Sequence, residues 1–209
     1  MKIMDFLPSI PVLFGSFFSQ EHEASLKVAK GYEVAQHINE FGQLRLDYFR
    51  GYPYFYDGDL VHEREYLQNY ASNSKTLLVI GQKGALMGCP LADTLKHHHK
   101  PFWDNKMPIE EMYYLGELVF EPGEEREELQ VQMYQKFEEE VRKMGYQQIA
   151  LYEIATDEND PKAPEGYVSI ERLWEKMGFV KIPQIVFEAL WEEQGKEKAH
   201  RLIAWIKMI

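Results

Sequence analysis

The chain has 209 residues, of which 45% are hydrophobic, and a formal net charge of −11 at pH 7. This length is enough for one substantial core and short for two full domains, so we predict a single domain. The acidic balance gives no footprint for a polyanion, and we therefore expect neither nucleic acid nor an anionic membrane surface as a partner. It is compatible with a basic or amine-bearing partner, or with an acidic surface that serves solubility alone.

The cysteine content and the first residues bear on location and organisation. Cys89 is the only cysteine, so no intramolecular disulfide can form and we expect a cytoplasmic protein. Residues 1–20 are rich in apolar side chains, but an acidic residue and two prolines interrupt the run, which is not typical of a signal peptide or a membrane span. We predict that residues 1–30 form an N-terminal arm, packed on the domain or on the second subunit of a homodimer, and that residues 31–209 form the domain.

Hydrophobic periodicity predicts the elements of the first half of the domain. Apolar residues that alternate with polar ones indicate a strand, and apolar residues spaced by three and four indicate a helix. A turn rich in aromatic residues separates two helices, and a glycine turn joins two strands into a hairpin. We predict a strand at 32–34, a helix at 38–51, the aromatic turn at 52–58, a helix at 59–70, and hairpin strands at 76–80 and 85–89.

The second half continues the alternation of strands and helices. A polar stretch is predicted to be a loop, and a Pro-Gly pair ends the strand that follows it. A long amphipathic helix comes next, closed by a glycine. The predicted elements are a loop at 92–108, a strand at 112–120, a helix from about 124 to 144, a strand at 148–154, a helix at 170–177, and β-rich runs at 180–191 and 202–209.

Several segments in this order resemble the GNAT superfamily of N-acetyltransferases. Residues 113–122 (YYLGELVFEP) are similar to the family's fourth strand, whose backbone amides receive the thioester and pantetheine of acetyl-CoA. Residues 173–179 (LWEKMGF) resemble an aromatic turn near the family's C-terminus, and residues 49–58 and 161–167 resemble a bacterial subgroup. Over residues 31–209 the resemblance implies an α/β (α+β) fold, a mixed and mostly antiparallel central sheet flanked by helices. It also implies acetyl-CoA as co-substrate.

Acetyl transfer to an amine requires a base for the ammonium group, a donor for the oxyanion and an acid for the leaving thiolate. Glu117 is the candidate base that the resemblance and the strand pattern favour. In a regularly alternating strand it would share a face with Tyr113, Leu115 and Val119, and partial desolvation would raise its pKa toward neutrality. The alternative is that Glu117 lies at a splay of the sheet or pairs with a Lys or Arg.

The remaining catalytic positions follow from the same resemblance. The thiolate acid is often a tyrosine in the family, but here Trp174 occupies that place, and an indole cannot act as a phenol does. Tyr167 is therefore the candidate acid, with Tyr152 or water as alternatives, and we expect Trp174 to pack against pantetheine or in the core. The strand amides expected to hold the thioester, one of which would receive the oxyanion, are those of Leu118, Val119 and Phe120.

The segment that would bind the cofactor pyrophosphate departs from the family pattern, Arg/Gln-x-x-Gly-x-Gly/Ala. Residues 126–131 read REELQV, so the leading basic residue is present and both glycines are absent. Glutamates around this helix start would themselves satisfy the dipole, which favours a decayed or repurposed site, whereas pantetheine binding along the strand does not need the glycines. The residues that the pattern places on the pyrophosphate are Arg126, Leu129, Gln130 and Val131.

A histidine cluster and an aromatic cluster are further candidate sites. His97, His98 and His99 are successive, so their side chains diverge, and we expect a solvated loop with no metal. The aromatic residues at 52–56 could line an acceptor pocket, or they could serve packing. The sequence thus predicts direct acetyl transfer from acetyl-CoA to a primary amine of a small molecule or peptide. The alternative is a catalytically inactive binding or regulatory protein of the same fold.

Overall fold

The structure, a computed structural model, describes residues 26–121, 126–156 and 160–209. Most of the predicted N-terminal arm, residues 1–25, lies outside the described residues, and the arm stays a prediction. Its last residues, Lys27–Lys30, form the first strand of the sheet. No helix in the described ranges is long and apolar enough to cross a membrane.

A seven-stranded sheet organises the described residues. The strand order is β1-β2-β3-β4-β5-β7-β6, and every neighbouring pair is antiparallel except β4 with β5, which is parallel. This confirms the predicted mixed, mostly antiparallel sheet. The strands are β1 (Lys27–Lys30), β2 (Leu77–Gly81), β3 (Gly84–Pro90), β4 (Met112–Phe120), β5 (Gln148–Ile154), β6 (Val180–Glu193) and β7 (Lys196–Met208).

Helices cover both faces of the sheet, as predicted for an α/β fold. Those on one face pack on the side chains around Val119 and Tyr114, and those on the other face pack on the side chains around Tyr113 and Leu151. The first group comprises α1 (Ile38–Phe49), α2 (Leu60–Ala71) and α3 (Lys96–Asp104), and the second comprises α4 (Arg126–Lys143) and α5 (Glu171–Lys176).

Two of the predicted elements are wrong. The expected strand at 32–34 is a 3-10 helix, Gly31–His37, because Gly31 adopts φ +55 and turns the chain out of β1. The expected loop at 92–108 contains α3, which a single buried side chain, Phe102, holds on the sheet. This short helix contains three successive histidines and an internal proline, so its sequence shows no apolar periodicity.

The last two strands form a hairpin that is longer than its apolar sequence predicts. β7 begins at Lys196 rather than near residue 202, in a mostly charged stretch where exposed and partly buried positions alternate. The end of the hairpin contacts the aromatic turn: Tyr56 bridges Glu193, and the amide of Asp57 donates to the carbonyl of Glu192 at 3.0 Å. The hairpin thereby fixes the turn that connects α1 and α2.

Candidate functional site

The central feature of the candidate site is a gap between β4 and β5. The two strands pair only from Met112–Tyr114 to the opposing residues 148–150, and within the described residues β4 then pairs with β3 alone and β5 with β7 alone. A strand that loses one neighbour leaves alternate amides and carbonyls without ladder partners on that side. Residues 115–120 of β4 therefore present backbone groups to the gap that have no ladder partner in the described part of the chain. Leu118, Val119 and Phe120 lie on this stretch.

A β-bulge at Gly116 adjoins the gap. The register between β3 and β4 shifts there, so that Gly116 lies unpaired between Leu115 and Glu117. A Cβ at this position would lie 2.2 Å from the hydroxyl oxygen of Tyr70, which leaves room only for glycine. The bulge is thus fixed by a close approach from α2.

The extra residue reverses the facing of the side chains along β4. Tyr113 and Leu115 belong to the core under α4, whereas Val119 belongs to the core under α1 and α2, and Glu117 contacts those same two helices. The expectation that Glu117 shares a face with Tyr113 and Leu115 is therefore wrong. One inserted residue moves every later side chain of the strand to the opposite face of the sheet. Glu117 shares its face with Val119, as expected.

On the β4 side of the gap, Glu117 belongs to a buried cluster around one arginine. An Nη of Arg45 pairs with one carboxylate oxygen of Glu117, and the hydroxyl of Tyr66 donates to the other. Arg45 Nε also donates to Glu63 Oε2 at 2.5 Å. The guanidinium lies 4.8 Å from the centre of the Phe49 ring and 4.7 Å from that of Tyr66. Glu117 thus pairs with a basic residue, which was the alternative prediction for this position.

This arginine cluster (Arg45, Glu63 and Glu117) sets two carboxyls against one guanidinium. Glu63 is 1% exposed and Glu117 is 4% exposed, and a single guanidinium lies between the two carboxylates. With both carboxyls ionised the cluster carries one net negative charge in surroundings of low dielectric. Such a charge attracts a cation that approaches through the gap.

On the β5 side, Glu153 is a second buried carboxyl. It is 6% exposed, and three neutral donors hold it: the hydroxyl of Tyr54 and the amide of Ile154 donate to Oε1 at 3.1 and 3.0 Å, and Trp174 Nε1 donates to Oε2 at 3.1 Å. Burial raises the pKa of Glu153 to about 7, against the opposing effect of the hydrogen bonds. No ion pair reaches Glu153 within the part of the chain that the structure describes.

An aromatic contact joins the two sides of the gap. The ring of Phe49, which lies under Arg45, is 4.6 Å from the ring of Tyr54 at a steep angle. Tyr54 is fixed at its backbone as well, because its carbonyl accepts a hydrogen bond from Trp191 Nε1 at 2.9 Å. Contacts therefore run from Glu117 through Arg45, Phe49 and Tyr54 to Glu153.

The two aromatic residues predicted near the leaving thiolate have different surroundings. Trp174 is 2% exposed, packs edge-on against Phe179, and donates its indole N–H to Glu153, so its place is in the core. Tyr167 is half-buried in a loop, and its ring lies 4.7 Å from that of Tyr52. Tyr167 thus lies against the aromatic turn, and Trp174 lies in the core in contact with Glu153.

The start of α4 shows how the departure from the family's loop pattern is accommodated. Glu127 pairs with Lys176 of α5, and Glu128 accepts a hydrogen bond from a side chain one turn along its own helix. Residues 122–125 and the side chain of Arg126 lie outside the described residues, so the contact of Arg126 with phosphate stays a prediction. Of the other three predicted positions, Leu129 packs against the core, Gln130 is buried, and Val131 lines a groove of about 540 Å³ between α4, α5 and β7.

The three histidines lie on α3, and the prediction of a solvated loop is wrong. His98 is half-buried, with its ring 4.9 Å from Phe187 and 5.7 Å from Tyr114, and burial lowers its pKa to about 4. The residues that the structure describes contain no group of three or more His, Cys, Asp or Glu side chains arranged to hold a metal ion.

Sequence reasoning missed Arg45, Glu63 and Glu153 as site residues. Arg45 lies four residues from both Phe41 and Phe49 on α1, and Glu63 lies four residues before the buried Leu67 on α2. Glu153 lies in β5, all of whose residues are buried. Opposite charges on the buried faces of two adjacent helices were a signal for an internal ion pair.

Comparison with known proteins finds similarity in structure alone. No protein-family model matches the sequence, and no curated protein matches it. A protein assigned as a GNAT-family acetyltransferase, from Desulfovibrio desulfuricans, superposes with a TM-score of 0.54 at 11% identity, over 88% of this chain and 99% of its own. A protein assigned as an acetyltransferase from Acinetobacter baylyi gives 0.56 at 10% identity, over 88% and 92%. A protein assigned as a phosphinothricin N-acetyltransferase gives 0.56 at 10% identity, over 88% and 99%.

Proposed function

We propose that this chain, which has the fold of the GNAT superfamily, transfers an acetyl group from acetyl-CoA directly to a primary amine. The observation that carries the proposal is the gap beside the bulged strand β4. Among the described residues, backbone groups without ladder partners line the side of β4 that faces away from β3, and a buried carboxyl lies on each side of the gap, Glu117 and Glu153. Amide donors of this kind can align an extended thioester chain and stabilise the oxyanion that forms on its carbonyl.

In this proposal the acetyl-CoA chain lies along the free edge of β4. The amides of Leu118, Val119 and Phe120 hold the pantetheine and the thioester, and the start of α4, with Arg126, receives the phosphates. The acid-rich first turn weakens that phosphate contact, because carboxylates near a phosphate oppose the helix dipole. Binding therefore depends more on the strand edge than it does in relatives with a glycine loop.

The acceptor is an amine because the surroundings favour a cation. The arginine cluster sets two carboxyls against one guanidinium, and the neighbouring ring of Tyr54 can add a cation–π contact to an ammonium group. A small molecule or a peptide with a primary amine meets these conditions, whereas a nucleic acid or a membrane surface does not. Cytoplasmic location and a homodimer remain predictions.

A non-catalytic role is the second candidate. The pair between Glu127 and Lys176 and the absence of glycine at Leu129 and Val131 favour it, since both strengthen the helix start without a bound anion. On this alternative the gap serves to bind a ligand or partner and no acetyl group is transferred.

The test is an acetyl-transfer assay on the purified chain. Acetyl-CoA is incubated with a panel of primary amines (tyramine, spermidine and a lysine-containing tripeptide), and thiol release and acetylated product are both measured. We expect acetylated product from at least one amine. Binding of acetyl-CoA without product from any of them would support the non-catalytic alternative.

Variants of the two predicted catalytic residues test their roles. If Glu117 is the base, Glu117→Gln lowers turnover by roughly two to four orders of magnitude and leaves acetyl-CoA affinity nearly unchanged. If Tyr167 is the thiolate acid, Tyr167→Phe lowers turnover in the same way. Tyr146→Phe is the matched control, because its ring packs on Tyr113 where β4 and β5 are paired, away from the gap.

A further inference from the structure

The two carboxyls beside the gap differ in what holds them. The oxygens of Glu117 accept from the Arg45 guanidinium and the Tyr66 hydroxyl, so a proton on Glu117 would cancel its attraction to the guanidinium. Glu153 is held by neutral donors alone. A buried carboxylate without a cation gains stability when it takes up a proton, whereas one paired with a cation loses its partner's attraction. Glu153 is therefore the better proton acceptor.

We propose that Tyr54 and Glu153 form a proton-accepting pair that deprotonates the ammonium group of the acceptor. The inference rests on the proposed acetyl transfer and names the route by which its proton leaves. The ammonium N–H donates to the hydroxyl oxygen of Tyr54, and the N–H bond breaks as the new O–H bond forms. The original proton of Tyr54 moves along the existing 3.1 Å hydrogen bond to Glu153 Oε1.

The proton transfer is balanced within this pair. Tyr54 ends as a neutral phenol, Glu153 ends as a neutral carboxylic acid, and the amine keeps the electron pair with which it attacks the thioester. Product release then exposes the pair to water, which takes the proton from Glu153. Tyr54 is the catalytic residue, since it touches the amine, and Glu153 is a positioning residue that acts through it.

The structure holds this pair in place. Trp191 anchors the backbone of Tyr54 and Phe49 packs against its ring, while Trp174 fixes the second oxygen of Glu153. The pKa of Glu153 is about 7, and the pKa of Tyr54 is well above its ordinary value through burial and the nearby Glu153. The phenol thus stays protonated and relays the proton instead of ionising.

Other titratable groups facing the pair are few. From α5, Glu171 raises the pKa of Glu153 slightly, and Lys181 of β6 pairs with Glu171 at 2.7 Å. From α1 and the loop before α5, Tyr48 and Tyr167 face Tyr54 and raise its pKa. His200 lies one contact further out, stacked on Trp191 at 3.5 Å, and burial lowers its pKa, so the inflection is assigned to Glu153 by its loss in Glu153→Gln.

The first experiment is the pH dependence of kcat with the panel amine that reacts fastest. We expect the wild-type rate to fall as pH drops through about 7, because protonated Glu153 cannot accept. Glu153→Gln and Tyr54→Phe should lose this inflection and roughly 10²- to 10⁴-fold in kcat, with acetyl-CoA affinity unchanged. Tyr146→Phe, whose ring packs on Tyr113 where β4 and β5 are still paired, should keep the inflection.

A second measurement reads the carboxyl without substrates. The indole N–H of Trp174 donates to Glu153, so its ¹⁵N–¹H chemical shift should titrate with a midpoint near 7 and stop titrating in Glu153→Gln. Glu140→Gln is the control for loss of a buried acid. Glu140 lies near the end of α4 and pairs with Lys30 of β1. It should leave the titration unchanged.

The outcomes separate the two proposals. Turnover with an inflection that survives in Glu153→Gln, or one that vanishes in Glu117→Gln instead, overturns the proton-accepting pair and leaves acetyl transfer standing. An indole shift that does not titrate near pH 7 overturns the pair as well. No acetyl-CoA binding by any variant overturns acetyl transfer, and the pair falls with it even where the indole titrates.

Discussion

The raised pKa of Glu153 has a consequence for stability that can be measured without any ligand. The folded protein holds this proton up to about pH 7, whereas the unfolded chain releases it near the ordinary value of 4.5. Between these values the folded state binds more protons than the unfolded state, so stability falls as pH rises. Each pH unit between these two pKa values changes the free energy of unfolding by about 1.4 kcal/mol. This carboxyl therefore lowers the free energy of unfolding by about 3 kcal/mol between pH 4.5 and about 7, and lowers it no further above that range.

Glu153→Gln removes this dependence, because an amide of nearly the same shape does not ionise. Urea denaturation of both proteins at intervals from pH 5 to pH 8 should show the free energy of unfolding of the wild type falling relative to the variant by about 2 to 3 kcal/mol. The difference between the two curves cancels all other titrating groups. Glu140→Gln serves as control, because ion pairs lower the pKa of Glu140 to about 2, outside this range. Parallel curves for wild type and Glu153→Gln would refute the reasoning.

Two further substitutions test the architecture around the gap. Arg45→Met leaves Glu63 and Glu117 buried without a cation and should cost about 3 to 5 kcal/mol of unfolding free energy in urea, most of it recovered when both glutamates are also changed to Gln. A loss below about 1 kcal/mol would contradict the buried ion pair. Gly116→Ala places a Cβ 2.2 Å from a tyrosine hydroxyl of α2 and should cost about 1 to 3 kcal/mol, whereas Gly51→Ala, whose Cβ would have only one neighbour, at 3.7 Å, should change little. Equal melting temperatures for the two alanine variants would mean that the bulge is not held by this contact.

The fold could be predicted because its signals are local and repeated. Strands β2 to β5 are short, mostly apolar runs bounded by polar or turn residues, and the helices α1, α2 and α4 show helical hydrophobic periodicity. The short helix α3 could not be found in this way, since Phe102 alone anchors it. Its position is decided by a tertiary contact with the sheet, which no local pattern records.

The site was predicted only in part, for a physical reason that lies in the bulge. Glu117 was located on the correct strand, but its facing depends on the one-residue insertion at Gly116, and that insertion exists only relative to β3. Its partner Arg45 lies 72 residues earlier on α1, and Glu153 and Tyr54 meet from β5 and the aromatic turn. The surroundings of each carboxyl are therefore set by contacts between distant segments. Such contacts cannot be inferred from the spacing of residues along the chain.

The central claim is that the free edge of β4 holds acetyl-CoA, and ligand-dependent melting tests it most directly. Ligand at 100 times its dissociation constant stabilises the folded state by about 2.7 kcal/mol, which for a domain of this size is a rise of roughly 5 to 10 °C. We predict such a rise with millimolar acetyl-CoA and a smaller but measurable one with an acetyl-pantetheine that lacks the nucleotide. An unchanged melting temperature with both ligands, together with no heat of binding by calorimetry, would contradict the claim.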